Sequence, residues 1–184
     1  MGARSVRENC LVKPLPCFSR IQMGMVCKSS RHAATLVSDY YRVAPREWNR
    51  MRYEVKTLRA LDSSEVIDQA LAHTLCYGFR REAGEVVLEE GDLYRICLQD
   101  HRILHAAGPT GEHLNALLTY VLTHELVHVV RFGQRLERID LPYDLRHQEE
   151  GKVETTTRAI LTKANDPEIT RLLSSRSITG TELP

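Results

Sequence analysis

The segment Tyr120–Phe132 reads Tyr-Val-Leu-Thr-His-Glu-Leu-Val-His-Val-Val-Arg-Phe, and it constrains the fold more than any other stretch of the chain. Val121, Leu122, Leu126, Val127, Val129 and Val130 make a helix here apolar nearly all round, the pattern of a helix covered on most sides. Into that run the sequence sets His124, Glu125 and His128. Imidazoles and a carboxylate in an apolar interior cost free energy unless they have partners. Positions four apart share one face of a helix, about 6 Å apart along its axis, so His124 and His128 can offer two imidazoles to one metal ion. Glu125, between them, is placed to take a proton from water at such a metal. The competing reading is a core helix with two hydrogen-bonded histidines, which gives no reason for a glutamate at 125.

A catalytic zinc ordinarily takes three protein ligands and keeps one position open, so a third ligand is expected. A second helix is predicted from about Leu145 to Ala164, with Val153, Thr157, Ile160 and Leu161 along its inner side. Glu150 and Glu154 fall on that same stripe, whereas Glu149 points elsewhere on the wheel. Either Glu150 or Glu154 can close the site, with the other orienting a histidine Nδ1. Glu154 is the preferred ligand, because Val153, Thr157 and Leu161 set it deeper in the apolar part while Glu150 stands beside Gly151. Without a metal, both carboxylates would simply pair with Arg146 or Arg158. Cys97 would give a His, His, Cys set like that of peptide deformylases, but the glycine-rich and Gln-containing motifs that accompany that cysteine are missing.

Residues 120–161 resemble the metal core of zincin metallopeptidases, specifically the gluzincins, whose third ligand is a glutamate on the following helix. The metzincin extension needs Gly at 131 and His at 134; the chain has Arg131 and Gln134, which removes that class. The small size resembles minimal gluzincins and domains of the ImmA/IrrE type. The resemblance implies one zinc ion on His124, His128 and one of Glu150 or Glu154, Glu125 as general base, and a peptide or protein substrate. It implies an α+β, zincin-like domain, with a short antiparallel or mixed sheet packed on a central metal helix and a second Glu-bearing helix. The strand Tyr94–Leu98 is expected above the metal helix, pairing with an extended substrate. No residue matches the family's transition-state-stabilising His or Tyr; Tyr143, His147, His105 and His101 are the candidates.

The rest of the chain fits around this core. Its 184 residues suit one domain: a poorly ordered leader over 1–30, where Pro14 and Pro16 break any helix, a zincin-like domain over 31–165, and a tail over 166–184 with a short helix at most. Between Ser38 and Ala60, Trp48, Met51 and Val55 recur at helical spacing and predict a helix with a basic outer face. Ser63–Cys76 reads as a capped helix ended by Gly78. Short strands are expected at Glu85–Leu88, Leu93–Leu98 and Arg102–Ala106, with turns at Glu89–Asp92 and Asp100–His101. Thr110 is placed to cap the metal helix, which should run from about Glu112 to Phe132 and end at Gly133.

A net charge of +1 exerts no bulk pull on nucleic acid or membranes, so binding to either is not expected. Five cysteines without a Cys-x-x-Cys pair suit reduced thiols in a cytoplasm. Two functions from different classes follow. One is a zinc metallopeptidase using Glu125 as base. The other is a zinc-binding regulatory or interaction module without efficient turnover, favoured by the unassigned oxyanion donor and opposed by the intact Glu125.

Overall fold

The computed structural model describes residues 14–83, 86–136 and 142–175, without the side chains of 79–90, 143 and 144. At its centre is the helix Leu114–Gly133, contacted by four other helices and by the sheet. Leu118, Leu122 and Leu126 along it are completely buried, each contributing roughly 1.5–3 kcal/mol through apolar burial. The expected helix is therefore present, but it starts two residues late, after His113, and Thr110 does not cap it. Gly111, at φ 64°, turns the chain just before the entry.

Among the described residues, six α-helices and a three-stranded mixed sheet make an α+β fold. In chain order, α1 is Arg20–Tyr41, α2 Pro45–Trp48, β1 Arg52–Lys56, β2 Ala72–Ala83, β3 Val86–Leu98, α3 Asp100–Ala106, α4 the central helix, α5 Tyr143–Lys163 and α6 Pro167–Ser174. β3 is the middle strand, parallel to β1 and antiparallel to β2. Tyr94, Ile96 and Leu98 on β3 are buried as their alternation predicts. Their strand is nevertheless flanked on both sides over Leu93–Cys97, so it has no free edge there for a substrate, and the expected pairing at Tyr94–Leu98 fails. Among the described residues the free edges belong to β1, to β2 and to the Val86–Asp92 part of β3 that β1 does not reach.

Several local expectations are overturned by tertiary contacts. The leader over 1–30 is helical from Arg20 onward, because Ser19 and Gln22 form a reciprocal capping box. Val26, Ser29, Ala33 and Val37 form the buried stripe of α1. Two of those residues are small and one is polar, so the stripe is faint in sequence. Ser29 makes hydrogen bonds with Asn115 and Thr119 of α4. The part of the leader before residue 14 lies outside the described residues, as does the tail beyond 175; the short helix expected near 168 is α6.

The single helix over Ser38–Ala60 is replaced by the last turn of α1, then α2, β1 and a 3-10 turn at Leu58–Ala60. Pro45 opens a one-turn helix in which Glu47 accepts the Ala44 amide at 2.7 Å, and the chain then joins β3 in parallel register. The helix over Ser63–Cys76 is replaced by a 3-10 turn at Ser63–Glu65 followed by β2. Here the buried Gln99 amide takes the Ile67 N–H at 3.2 Å and donates to the Glu65 carbonyl at 2.9 Å, which fixes the segment in a non-helical path. Gly78 lies within β2, and the supposed turn Glu89–Asp92 lies within β3.

The strand over Arg102–Ala106 is α3 instead. Asp100 opens it, and its carboxylate accepts the Phe18 N–H at 2.8 Å and the Leu58 N–H at 2.9 Å, tying three distant segments together. No described helix is long and apolar enough to cross a membrane.

Candidate metal centre

α4 sets four rings in a column at four-residue spacing. Tyr120 stacks on His124 at 6.5 Å between centroids, His124 meets His128 edge-on at 5.1 Å, and His128 stacks on Phe132 at 5.7 Å. Phe132 in turn stacks on Tyr94 of β3 at 6.1 Å. Rings packed on both sides lose rotational freedom, so both imidazoles are held before any ligand arrives.

α5 crosses this face and brings Glu150 to both rings. Its Oε2 lies 3.4 Å from His124 Nε2 and its Oε1 3.4 Å from His128 Nε2. These separations are long for a good N–H···O bond, which falls at about 2.7–3.2 Å. The carboxylate thus bridges the two imidazoles, one oxygen towards each ring. The donor atoms of His124, His128 and Glu150 all lie within 4.8 Å of one another and could hold one metal ion. Two imidazoles and a carboxylate also fit zinc chemically.

Glu154, preferred as the ligand from sequence, takes a different place. Its Oε2 stands 3.7 Å from His124 Nδ1, on the ring nitrogen that faces away from Glu150. The same carboxylate accepts a hydrogen bond from Tyr120 Oη and pairs with Arg158 at 2.6 Å. The order of the two glutamates is reversed because Glu150 is far enough towards the start of α5 to span both histidines, whereas Glu154 lies one turn on, level with Tyr120. Arg158 pairs with Glu154 as the metal-free reading had it, but Glu150 faces the imidazoles. Arg131, where metzincins need glycine, continues the helix and pairs with Glu149.

Burial works to raise the Glu150 carboxyl, but the imidazoles of His124 and His128 prevail and hold it well below the ordinary carboxylate range. Burial likewise opposes the lowering of Glu154, yet His124, Tyr120 and Arg158 bring it down to about 2. Burial disfavours a charged His124, and Glu150 and Glu154 outweigh it, so its pKa is raised. These contacts thus favour the charged form of both glutamates.

Glu125 is buried on the side of α4 that meets the sheet. Thr74 Oγ1 of β2 donates to its Oε2 at 2.7 Å. The other candidates are not gathered in the same way. His101 Nε2 is bonded to Asp68 at 2.8 Å, while His105 and His147 are exposed. Tyr143 opens α5, and its side chain lies outside the described residues. Cys97 is fully buried in β3, and burial together with the nearby Glu65 pushes its thiol up to about 12, the state of an inert thiol.

Tyr120 and Thr74 are the members that sequence reasoning missed. Tyr120 stands four residues before His124, a spacing that could have revealed it. Nothing in the sequence links Thr74 to Glu125, because the contact exists only once β2 packs on α4.

Together these side chains define a candidate His, His, Glu metal centre with a buried glutamate beside it on the same helix. Comparison of the chain with protein-family models, curated proteins and solved structures finds no match.

Proposed function

We propose that the chain is a zinc-dependent metallopeptidase of gluzincin type. The observation that carries this reading is the Glu150 carboxylate lying across both Nε2 atoms at 3.4 Å, with Glu125 one residue from His124. His124, His128 and Glu150 would hold the metal, and Glu154 would orient His124 through Nδ1. A zinc ion bound there supplies a Lewis acid and lowers the pKa of water.

The remaining chemistry belongs to the chain. Glu125 takes a proton from the attacking water as its oxygen bonds to the peptide carbonyl carbon, then passes that proton to the amine as the C–N bond breaks. The substrate is a peptide or protein segment in extended form. Of the free edges, β2 carries the contact to Glu125, so backbone pairing along β2 brings a scissile bond towards that carboxylate.

A second reading, a zinc-binding regulatory or interaction module, is favoured by the fate of the oxyanion candidates: His101 is engaged by Asp68, and His105 and His147 face solvent. One experiment separates the two. Zinc-loaded wild type and Glu125→Gln are assayed for metal content and for cleavage of a peptide library. The enzyme reading expects one zinc in each and cleavage by wild type alone. One zinc with no cleavage by wild type supports the module, and no zinc in wild type sinks both.

A further inference from the structure

We infer that Thr74 is a positioning residue for Glu125, holding the base from the edge strand; this rests on the metallopeptidase reading. Glu125 is a buried carboxylate on an apolar helix, and a buried polar group needs hydrogen-bond partners, which also fix its orientation. Thr74 Oγ1 supplies one at 2.7 Å, a good length for an O–H donor to a carboxylate. The bond occupies Oε2 and leaves Oε1 to receive a proton.

The residue type and its place both suit the role. Thr74 is opposite Ile96 of β3, which is completely buried, so its side of the sheet is the packed one. A β-branched side chain on a strand has few χ1 choices, so the hydroxyl is aimed at little entropic cost. β2 pairs only with β3 among the described residues, so the strand that holds the base is also the strand with a free edge for an extended peptide. Docking at that edge and orientation of Glu125 therefore share one rigid element.

The test compares Thr74→Val, which keeps the shape and removes the hydroxyl, with Thr74→Ser, which keeps the hydroxyl, in zinc-loaded protein. Thr74→Ala replaces Thr74→Val should the latter fail to fold. Losing a hydrogen bond to a charged group predicts a fall in kcat of about tenfold to a hundredfold for Thr74→Val. KM and zinc stoichiometry should stay at wild-type values, and Thr74→Ser should keep wild-type kcat. A readout independent of turnover is the Glu125 side chain in crystals of the zinc-loaded proteins, with one conformer in wild type and Thr74→Ser, and a shifted or multiple one in Thr74→Val.

Wild-type kcat in Thr74→Val, equal impairment of Val and Ser, or an unmoved Glu125 in Thr74→Val overturns the assignment while leaving the metallopeptidase reading intact. A zinc-loaded wild type that cleaves nothing overturns both.

Discussion

Glu154 faces the Nδ1 edge of His124 at 3.7 Å, on the opposite side of the ring from Glu150. One imidazole therefore sits between two carboxylates of the same helix, each on its own nitrogen. This arrangement separates a group that would bind a metal from one that would orient the ligand, and it makes the two glutamates experimentally distinguishable.

Glu150→Ala should lose stoichiometric zinc after dialysis. Glu154→Ala should keep it, with affinity lowered about tenfold to a hundredfold, the usual effect of removing a partner behind a ligating histidine. Metal analysis with a chelator competition measures both. Equal retention by the two variants would remove Glu150 from the ligand set.

Zinc should stabilise the folded chain, since binding to the native state alone adds about 2.7 kcal/mol when free metal is a hundredfold above its Kd. A rise in Tm on adding zinc, reversed by chelator and absent in His124→Ala, is the expected result. A Tm insensitive to zinc would count against the site.

The acid limb of stability should carry a signature of Glu65, which accepts hydrogen bonds from Arg95 at 2.7 Å and Tyr77 at 2.9 Å. Arg95 chiefly, with the Asp62 amide, lowers its carboxyl from the ordinary 4.5 to about 2 in the fold. A depressed carboxyl stabilises the native state fully above its unfolded value and loses that contribution as pH falls from about 4.5 to about 2. In chelated protein, the denaturation midpoint of Glu65→Gln should fall less steeply over that window than that of wild type. Identical slopes would show that the pair contributes nothing.

Gly133 closes α4 against the buried Met51, and a β-carbon there would come within 2.3 Å of Met51 Cγ and 3.3 Å of its Cβ. Alanine in place of glycine ordinarily favours a helix by about 1 kcal/mol, but overpacking a filled core costs roughly 1–3 kcal/mol. Gly133→Ala should therefore lower the Tm, and adding Met51→Ala should restore part of the loss. A higher Tm in the single variant would show that Met51 moves aside freely.

α4 was legible as a long run that is apolar nearly all round, and α5 through its inner stripe of Val153, Thr157, Ile160 and Leu161. The inner stripe of α5 also announced that Glu150 and Glu154 needed a reason to be there. Trp48, Met51 and Val55 misled, since helical spacing over a short window competes with strand pairing that no local pattern reveals. The segment after Ser63 has a helix's caps and apolar face, yet its path is set by Gln99, more than thirty positions away.

By itself the sequence determined the central helix, the pairing of His124 with His128 on one face, the place of Glu125 between them, and the exclusion of the three-histidine class through Arg131 and Gln134. These follow from helical geometry within a single segment, which needs no partner to be read. The tertiary structure decided which glutamate spans both imidazoles, which strand keeps a free edge, and that Thr74 touches Glu125. Each of those depends on how two separate elements dock, and a difference of one turn along α5 is enough to exchange Glu150 for Glu154.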